Sequence, residues 1–213
     1  RPVAPPHGHH AASAMTKLWP ALLAAALLSG CAAPSATPPA TPVPAAPAAG
    51  AVTWQYVRST WHEARLPGLG VSHRYESRVG WVDVYLYDLK QGHWQAGVDD
   101  PRFAAQFESS VNEVRLAVAR GLYAEVEVGL ITDVRIEGQD FRRVSLRIVH
   151  AVTRKAYESF TFLTARNGRL LKYRMSFDTP APANVDAIAR EFIERNLRSG
   201  PDMPRAARPL FDP

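Results

Sequence analysis

The sequence predicts an α+β domain: an antiparallel sheet of about six to seven strands with two helices packed on it, in the order βββα-ββββ-α. Three observations carry this. Apolar residues alternate with period two in separate runs before residue 90 and after residue 123. Between the runs, Phe103, Phe107, Val111, Val114 and Val118 recur at helical spacing. The last two alternating runs are joined by Asn167-Gly168, a pair suited to the tight turn of a hairpin.

Taken in chain order, residues 54–59 and 70–77 read as extended. In 81–87 the alternation is sharp, with Val82, Val84 and Leu86 on one face and Trp81, Asp83, Tyr85 and Tyr87 on the other. The first helix is bounded chemically. Asp100 is placed to cap its start, with Pro101 at the first helical position, and Gly121 suits the left-handed residue just past its end. Four strands follow. Val126, Val128 and Leu130 alternate and Val134 and Ile136 continue the same parity, with Gly129 marking a bulge or break. Next come Val144, Leu146, Ile148 and Val152; then Phe160 and Phe162; then Leu171, Tyr173, Met175 and Phe177. Val185, Ile188, Phe192, Ile193 and Leu197 form the inward stripe of a closing helix, with Asn184 as cap and Gly200-Pro201 as stop. Strands grouped around one helix lack the strict strand–helix alternation of a parallel sheet, so an antiparallel sheet is the simpler solution.

The domain should span residues 52–200. Residues 201–213 are expected to be a disordered tail, and 1–14, which hold three histidines and no Met, to be upstream translation without structure. From Met15 the chain has a single cation at Lys17, an apolar run over 18–28 and then small residues, the order of regions in a secretion signal over 15–30. Eleven apolar residues fall short of the roughly 20 that span a bilayer, and Pro20 disfavours a continuous helix.

The residues Leu28-Ser29-Gly30-Cys31 resemble the lipobox of bacterial lipoproteins. That resemblance implies cleavage between Gly30 and Cys31, a diacylglycerol on the thiol and a further acyl chain, such as palmitate, on the new amino terminus. Ala32 stands where an aspartate retains enteric lipoproteins in the inner membrane, so the resemblance implies an outer-membrane anchor facing the periplasm. Cys31 is the only cysteine, so no intrachain disulfide forms and lipidation accounts for the thiol. Residues 32–51 are almost wholly Ala, Pro, Thr and Ser without charge. They read either as a semi-rigid tether reaching up to roughly 60 Å, at about 3.1 Å per residue, or as a spacer with no length requirement.

Charge narrows the partner classes. Without Arg1 and Lys17 the chain has 23 Lys and Arg against 20 Asp and Glu, a net +3, too mild to imply nucleic acid. No Gly-x-Ser-x-Gly elbow, phosphate loop or dinucleotide fingerprint is present. His62-Glu63 opens like a zinc-protease helix, but Leu66 stands where the second histidine belongs; His73, His93 and His150 are scattered, and His150 reads as a core histidine. No catalytic residue, metal site or cofactor is therefore expected.

Two surface patches remain. If the apolar positions above point inward, Arg143, Arg147, Lys172 and Arg174 point together from the other side, with Arg169 near the hairpin. Such a face suits an envelope protein, an anionic glycan or lipid phosphates; the plainer reading is a solvated sheet face balanced by acids such as Glu158. Trp81, Asp83, Tyr85 and Tyr87 form an aromatic patch that either binds a partner or packs under a helix with its polar tips at the rim. Asp83 against rings suits general-acid work; the plainer reading is a hydrogen bond to a tyrosine or a pairing with a cross-strand arginine. The resulting expectation is a membrane-anchored, non-enzymatic accessory or binding module. The alternatives are an envelope hydrolase, with Asp83, His73 and Tyr75 converging, and a structural spacer.

The element order over 71–197 resembles that of PsbP/Mog1-like domains. Residues 81–89 followed by 103–123 are similar to small uncharacterised proteobacterial lipoproteins. Neither likeness brings a functional motif with it.

Overall fold

The computed structural model of the protein describes residues 52–200. The leader, Cys31, the proline-rich segment and the expected tail lie outside the described residues. The elements run β1 (Gln55–Trp61), β2 (Val71–Ser77), β3 (Gly80–Tyr87), α1 (Phe103–Ala119), β4 (Tyr123–Ile136), β5 (Gln139–His150), β6 (Ala156–Arg166), β7 (Arg169–Asp178) and α2 (Val185–Ser199). All seven strands form one sheet in the order β1-β2-β3-β7-β6-β5-β4, and every neighbouring pair is antiparallel. The α+β class and the order of elements are as the sequence predicts.

Two meanders make the sheet. β1 to β3 form one and β4 to β7 the other; α1 bridges them, carrying the chain from the middle of the sheet to its far edge, so that β7 returns beside β3. The β6–β7 hairpin closes through Asn167 and Gly168, both with positive φ (52° and 77°), the conformation that Asn-Gly favours.

The two helices lie on opposite faces. α2 sets Ile188, Ala189, Phe192, Ile193 and Leu197 against Val82, Val84, Leu171, Tyr173, Met175 and Phe177. On the other face, α1 packs Phe103, Phe107, Val111 and Val114 onto Val144, Leu146, Ile148, Leu163 and Leu170. The sheet's centre is therefore dry on both sides, and in β6 every residue from Ser159 to Ala165 is buried, with no alternation left to read. Each large side chain buried this way contributes about 1.5–3 kcal/mol.

Several expectations change. The β4 bulge falls at Gly129 and Leu130: Val128 pairs with Leu146 and Ile131 with Val144, so two residues face Ser145 alone. The extra residue swaps the faces of the strand. Val126 and Val128 pack on the α1 side, whereas Val134 and Ile136, at the same sequence parity, pack on the α2 side. Leu130, expected inward, is exposed, as is Val152, which lies in the β5–β6 turn. Val118 is exposed and Ala117 takes its place in the core. His150 is half-buried, and its Nδ1 accepts the N–H groups of Val152 and Thr153, so it braces a turn and is not a core residue.

The ends of α1 divide similarly. At its carboxyl end, Gly121 (φ 70°) donates to Val118 O and Leu122 to Ala117 O, the paired bonds of a Schellman stop. At its amino end Arg102 is the cap, so the helix starts two residues later than expected and Asp100 and Pro101 both precede it. There Asp100 accepts the N–H groups of Gln95 and Arg102 and forms an ion pair with the Arg102 guanidinium (2.6 Å). Those bonds hold its carboxyl well below the usual carboxylate range. Arg102 also donates to the carbonyls of Gln91 and His93 and lies 4.3 Å over the ring of the buried Trp94, which fastens the loop between β3 and α1 to the hairpin.

Candidate binding face beside α1

The β-ladder register decides which of the predicted site residues share a face. Arg143 pairs with Phe162 and Arg147 with Glu158, which places both on the α2 side; Lys172 pairs with Tyr85 and Arg174 with Asp83, on the α1 side. The single basic face expected from sequence is therefore split between the two sides of the sheet. The cause is the helix on each face. "Inward" on β5 (Val144, Leu146, Ile148) means towards α1, and on β7 (Leu171, Tyr173, Met175) towards α2. Of the α2-side pair, Arg143 is bonded to Asp186 and stacks 4.5 Å over Phe160, and Arg147 lies at the surface, 4.0 Å from Glu125. Arg169 is exposed at the hairpin, three residues before Lys172 on β7 and of opposite parity to it.

The same register joins two patches that the sequence kept apart. Trp81, Asp83, Tyr85 and Tyr87 lie on the α1 side with Lys172 and Arg174. α1 packs mainly over β4, β5, β6 and the hairpin end of β7 and reaches β3 at Tyr87, whose hydroxyl accepts from Gln106 at 3.2 Å, while no residue of β1 or β2 belongs to its cluster and that part of the face lies open. Cross-strand rows run over it. One reads Arg58, Arg74, Asp83, Arg174; the next reads Thr60, Ser72, Tyr85, Lys172. Arg58, Arg74, Tyr123, Tyr157 and Glu113 are members that sequence reasoning missed. The alternation of Val71, His73 and Tyr75 with Ser72, Arg74 and Glu76 is the signal that would have placed Arg74 here.

Asp83 sits at the centre of the first row and pairs with Arg74 at 2.8 Å. Burial pushes its carboxyl up, opposed by the charges of Arg74, Arg174 and Arg58. Arg174 donates to the Tyr123 hydroxyl at 2.6 Å, and Arg74 lies 4.9 Å from the Trp81 ring, which meets Tyr157 edge-on at 4.8 Å. This is a surface of cations held against rings, with Asp83 inside it and two further carboxylates beside the cations, Glu76 at 3.2 Å from Arg74 and Glu113 at 3.5 Å from Lys172. The hydrolase constellation does not assemble, because Asp83 is on the α1 side and His73 and Tyr75 are on the α2 side. His73 is fully buried and its Nδ1 shares a 2.7 Å hydrogen bond with Ser59. His62 is bonded to Ser72, and Glu63 accepts the N–H groups of Gly68 and Gly70 within the β1–β2 loop. Among the described residues, no group of three or more His, Cys, Asp or Glu is placed to hold a metal ion.

The second row ends in a pocket of about 130 Å³ lined by His62, Leu69, Tyr85, Tyr87, Leu89, Gln106, Glu113 and Lys172. The Lys172 ammonium lies 4.9 Å from the Tyr85 ring and 5.4 Å from that of Tyr87, with Glu113 at 3.5 Å. Burial lowers its pKa, partly opposed by Glu113. Burial also pushes the phenols of Tyr85 and Tyr87 up to about 12 each. A raised folded-state pKa favours the neutral phenol. The contribution of these tyrosines to stability is therefore complete below the unfolded value of about 10 and is lost as the pH rises from there through about 12. Alkaline titration followed by phenolate absorbance should show a native step near 12 that moves to about 10 on unfolding in urea. Replacing Tyr85 and Tyr87 by Phe should remove most of that step; a native titration with all tyrosines at about 10 would contradict the burial argument.

No family model and no curated protein sequence matches the chain. Among solved structures, it is similar to the solution structure of cyanobacterial PsbP (CyanoP) from Synechocystis sp. PCC 6803, at 13% sequence identity and a TM-score of 0.42, over 75% of this chain and 97% of that one.

Proposed function

We propose that the protein is a lipid-anchored module of the bacterial cell envelope that binds an anionic glycan, without catalysing a reaction on it, through the open part of the α1-side sheet face. In this reading Cys31 carries the anchor at the outer membrane and residues 32–51 hold the domain away from it. The observation that carries the binding reading is the shared face of Arg58, Arg74, Lys172 and Arg174 with Trp81, Tyr85 and Tyr157. Arginines held against rings present their donors to carboxylate or phosphate, and ring faces take the apolar side of a sugar.

A glycan is favoured over an acidic protein because the face pairs rings with cations, Trp81 with Arg74 at 4.9 Å, Tyr85 with Lys172 at 4.9 Å and Tyr123 with Arg174 at 5.8 Å, which suits a sugar that carries acidic groups. The test is an equilibrium titration of the full chain in detergent with a polyuronate oligosaccharide. The reading predicts saturable binding that weakens steeply with added salt. Absence of binding together with hydrolysis of a peptidoglycan or ester substrate would overturn it in favour of an envelope hydrolase.

A further inference from the structure

The composition makes Lys172 unusual. Of the 25 basic residues in the chain only four are lysines, at positions 17, 90, 155 and 172. Among the ion-paired cations of the described residues, Lys172 has the least exposed side chain, 13% against 18% for Arg143, the next. Where an arginine-rich chain buries a cation deepest, it uses the one cationic side chain that can give up its proton and become a nucleophile.

We propose that Lys172 is a reactive amine and that its pocket is a reversible covalent site for a carbonyl group, an aldehyde or ketone. Four features of the site support this. The Nζ lies beside two rings in a pocket of about 130 Å³, well above the roughly 10–15 Å³ that one water needs and so with room for a small carbonyl head group. Its carboxylate partner, Glu113, is exposed and 3.5 Å away, too distant to hold the ammonium firmly. The other titratable groups around it are the phenols of Tyr85 and Tyr87, the imidazole of His62 across the pocket, and Arg174 on its own strand. Desolvation, the largest effect, and the Arg174 charge favour the neutral amine, and Glu113 and the two ring faces oppose them. Lys155 shows the contrast: held by Asp178 at 2.7 Å, it has a raised pKa.

The chemistry balances without any further reactant. The ammonium first gives its proton to solvent. The Nζ lone pair then attacks the carbonyl carbon and the C=O electron pair moves to oxygen. After proton transfer the carbinolamine loses water and a C=N bond remains, so one amine and one carbonyl give one imine and one water.

The test is reductive alkylation of the full chain in detergent with propionaldehyde and cyanoborohydride, with peptide mass spectrometry following Lys172, Lys90 and Lys155 together. An ordinary lysine at about pH 7 is neutral in only about one molecule in 2,500. The neutral fraction of Lys172 should therefore rise about tenfold for each unit by which its pKa is lowered, and its alkylation should be severalfold faster than that of the exposed Lys90. Its rate should level off with rising pH while that of Lys90 is still climbing, and the advantage should vanish in urea. Lys172→Arg keeps the cation, has no amine to condense, and should lose the fast phase with Lys90 unaffected. Labelling of Lys172 no faster than Lys90 in the native protein, or an advantage that survives unfolding, would overturn the proposal.

Discussion

Trp94→Ala should lower the stability of the domain by about 3–5 kcal/mol, a large share of the roughly 5–15 kcal/mol that holds a typical domain together. Trp94 is fully buried, although it belongs to the loop between β3 and α1 and to neither regular element. Its backbone pairs with Gly168 in the β6–β7 turn, its indole N–H donates to Asp88 O, and Arg102 covers its ring. It therefore joins the hairpin, the loop and the start of α1. Removing the ring opens a cavity beneath Phe103 and Phe107 in the same cluster and strips the apolar side of Arg102. Urea denaturation provides the check: the midpoint should fall steeply with little change in slope. A loss below about 1 kcal/mol would mean that the loop rests on the sheet without supporting it.

The second large effect concerns Cys31. Protein extracted from the envelope should begin at Cys31 and carry acyl chains on its amino-terminal peptide. Cys31→Ala should give a chain that is neither cut at that bond nor acylated. Two or more chains hold a protein at a membrane far more firmly than one, since each buried methylene contributes about 0.8 kcal/mol. Mass spectrometry of the amino-terminal peptide decides the matter, and a free thiol at Cys31 in the membrane-extracted protein would remove the anchor from the proposed function.

Much of the fold was legible because it is written in local chemistry. The 3.6-residue stripe of α1, the Asn167-Gly168 turn and the period-two run of β3 each specify an element with little help from the rest of the chain. Sides of the sheet were not legible, because alternation tells only that a strand has two sides and never which side its neighbour shares. Val144 and Tyr173 are both inward, yet they face different helices. The bulge at Gly129 and Leu130 adds a second uncertainty, since it reverses the parity of β4 halfway along, and the sequence marks the position without giving the consequence. For the site, this meant that the basic patch was divided between the two faces while Trp81, Asp83, Tyr85 and Tyr87 stayed on one. Lys172 and Arg174 were named, but their companions proved to be Trp81, Asp83 and Tyr85, together with Arg58 and Arg74 from strands whose pairing no single run of residues reveals.

That division between faces provides the sharpest test of the central claim, which is that the α1-side face binds the anionic ligand. Two double variants with the same change in net charge should be compared with the wild type for binding to a polyuronate oligosaccharide at low salt: Lys172→Glu with Arg174→Glu, and Arg143→Glu with Arg147→Glu. Circular dichroism should first establish that each is folded. The account predicts that the first pair loses at least about a hundredfold in affinity, roughly 2.7 kcal/mol, while the second changes by no more than the few-fold expected from net charge alone. Equal losses in the two variants, or a larger loss on the α2 side, would contradict it.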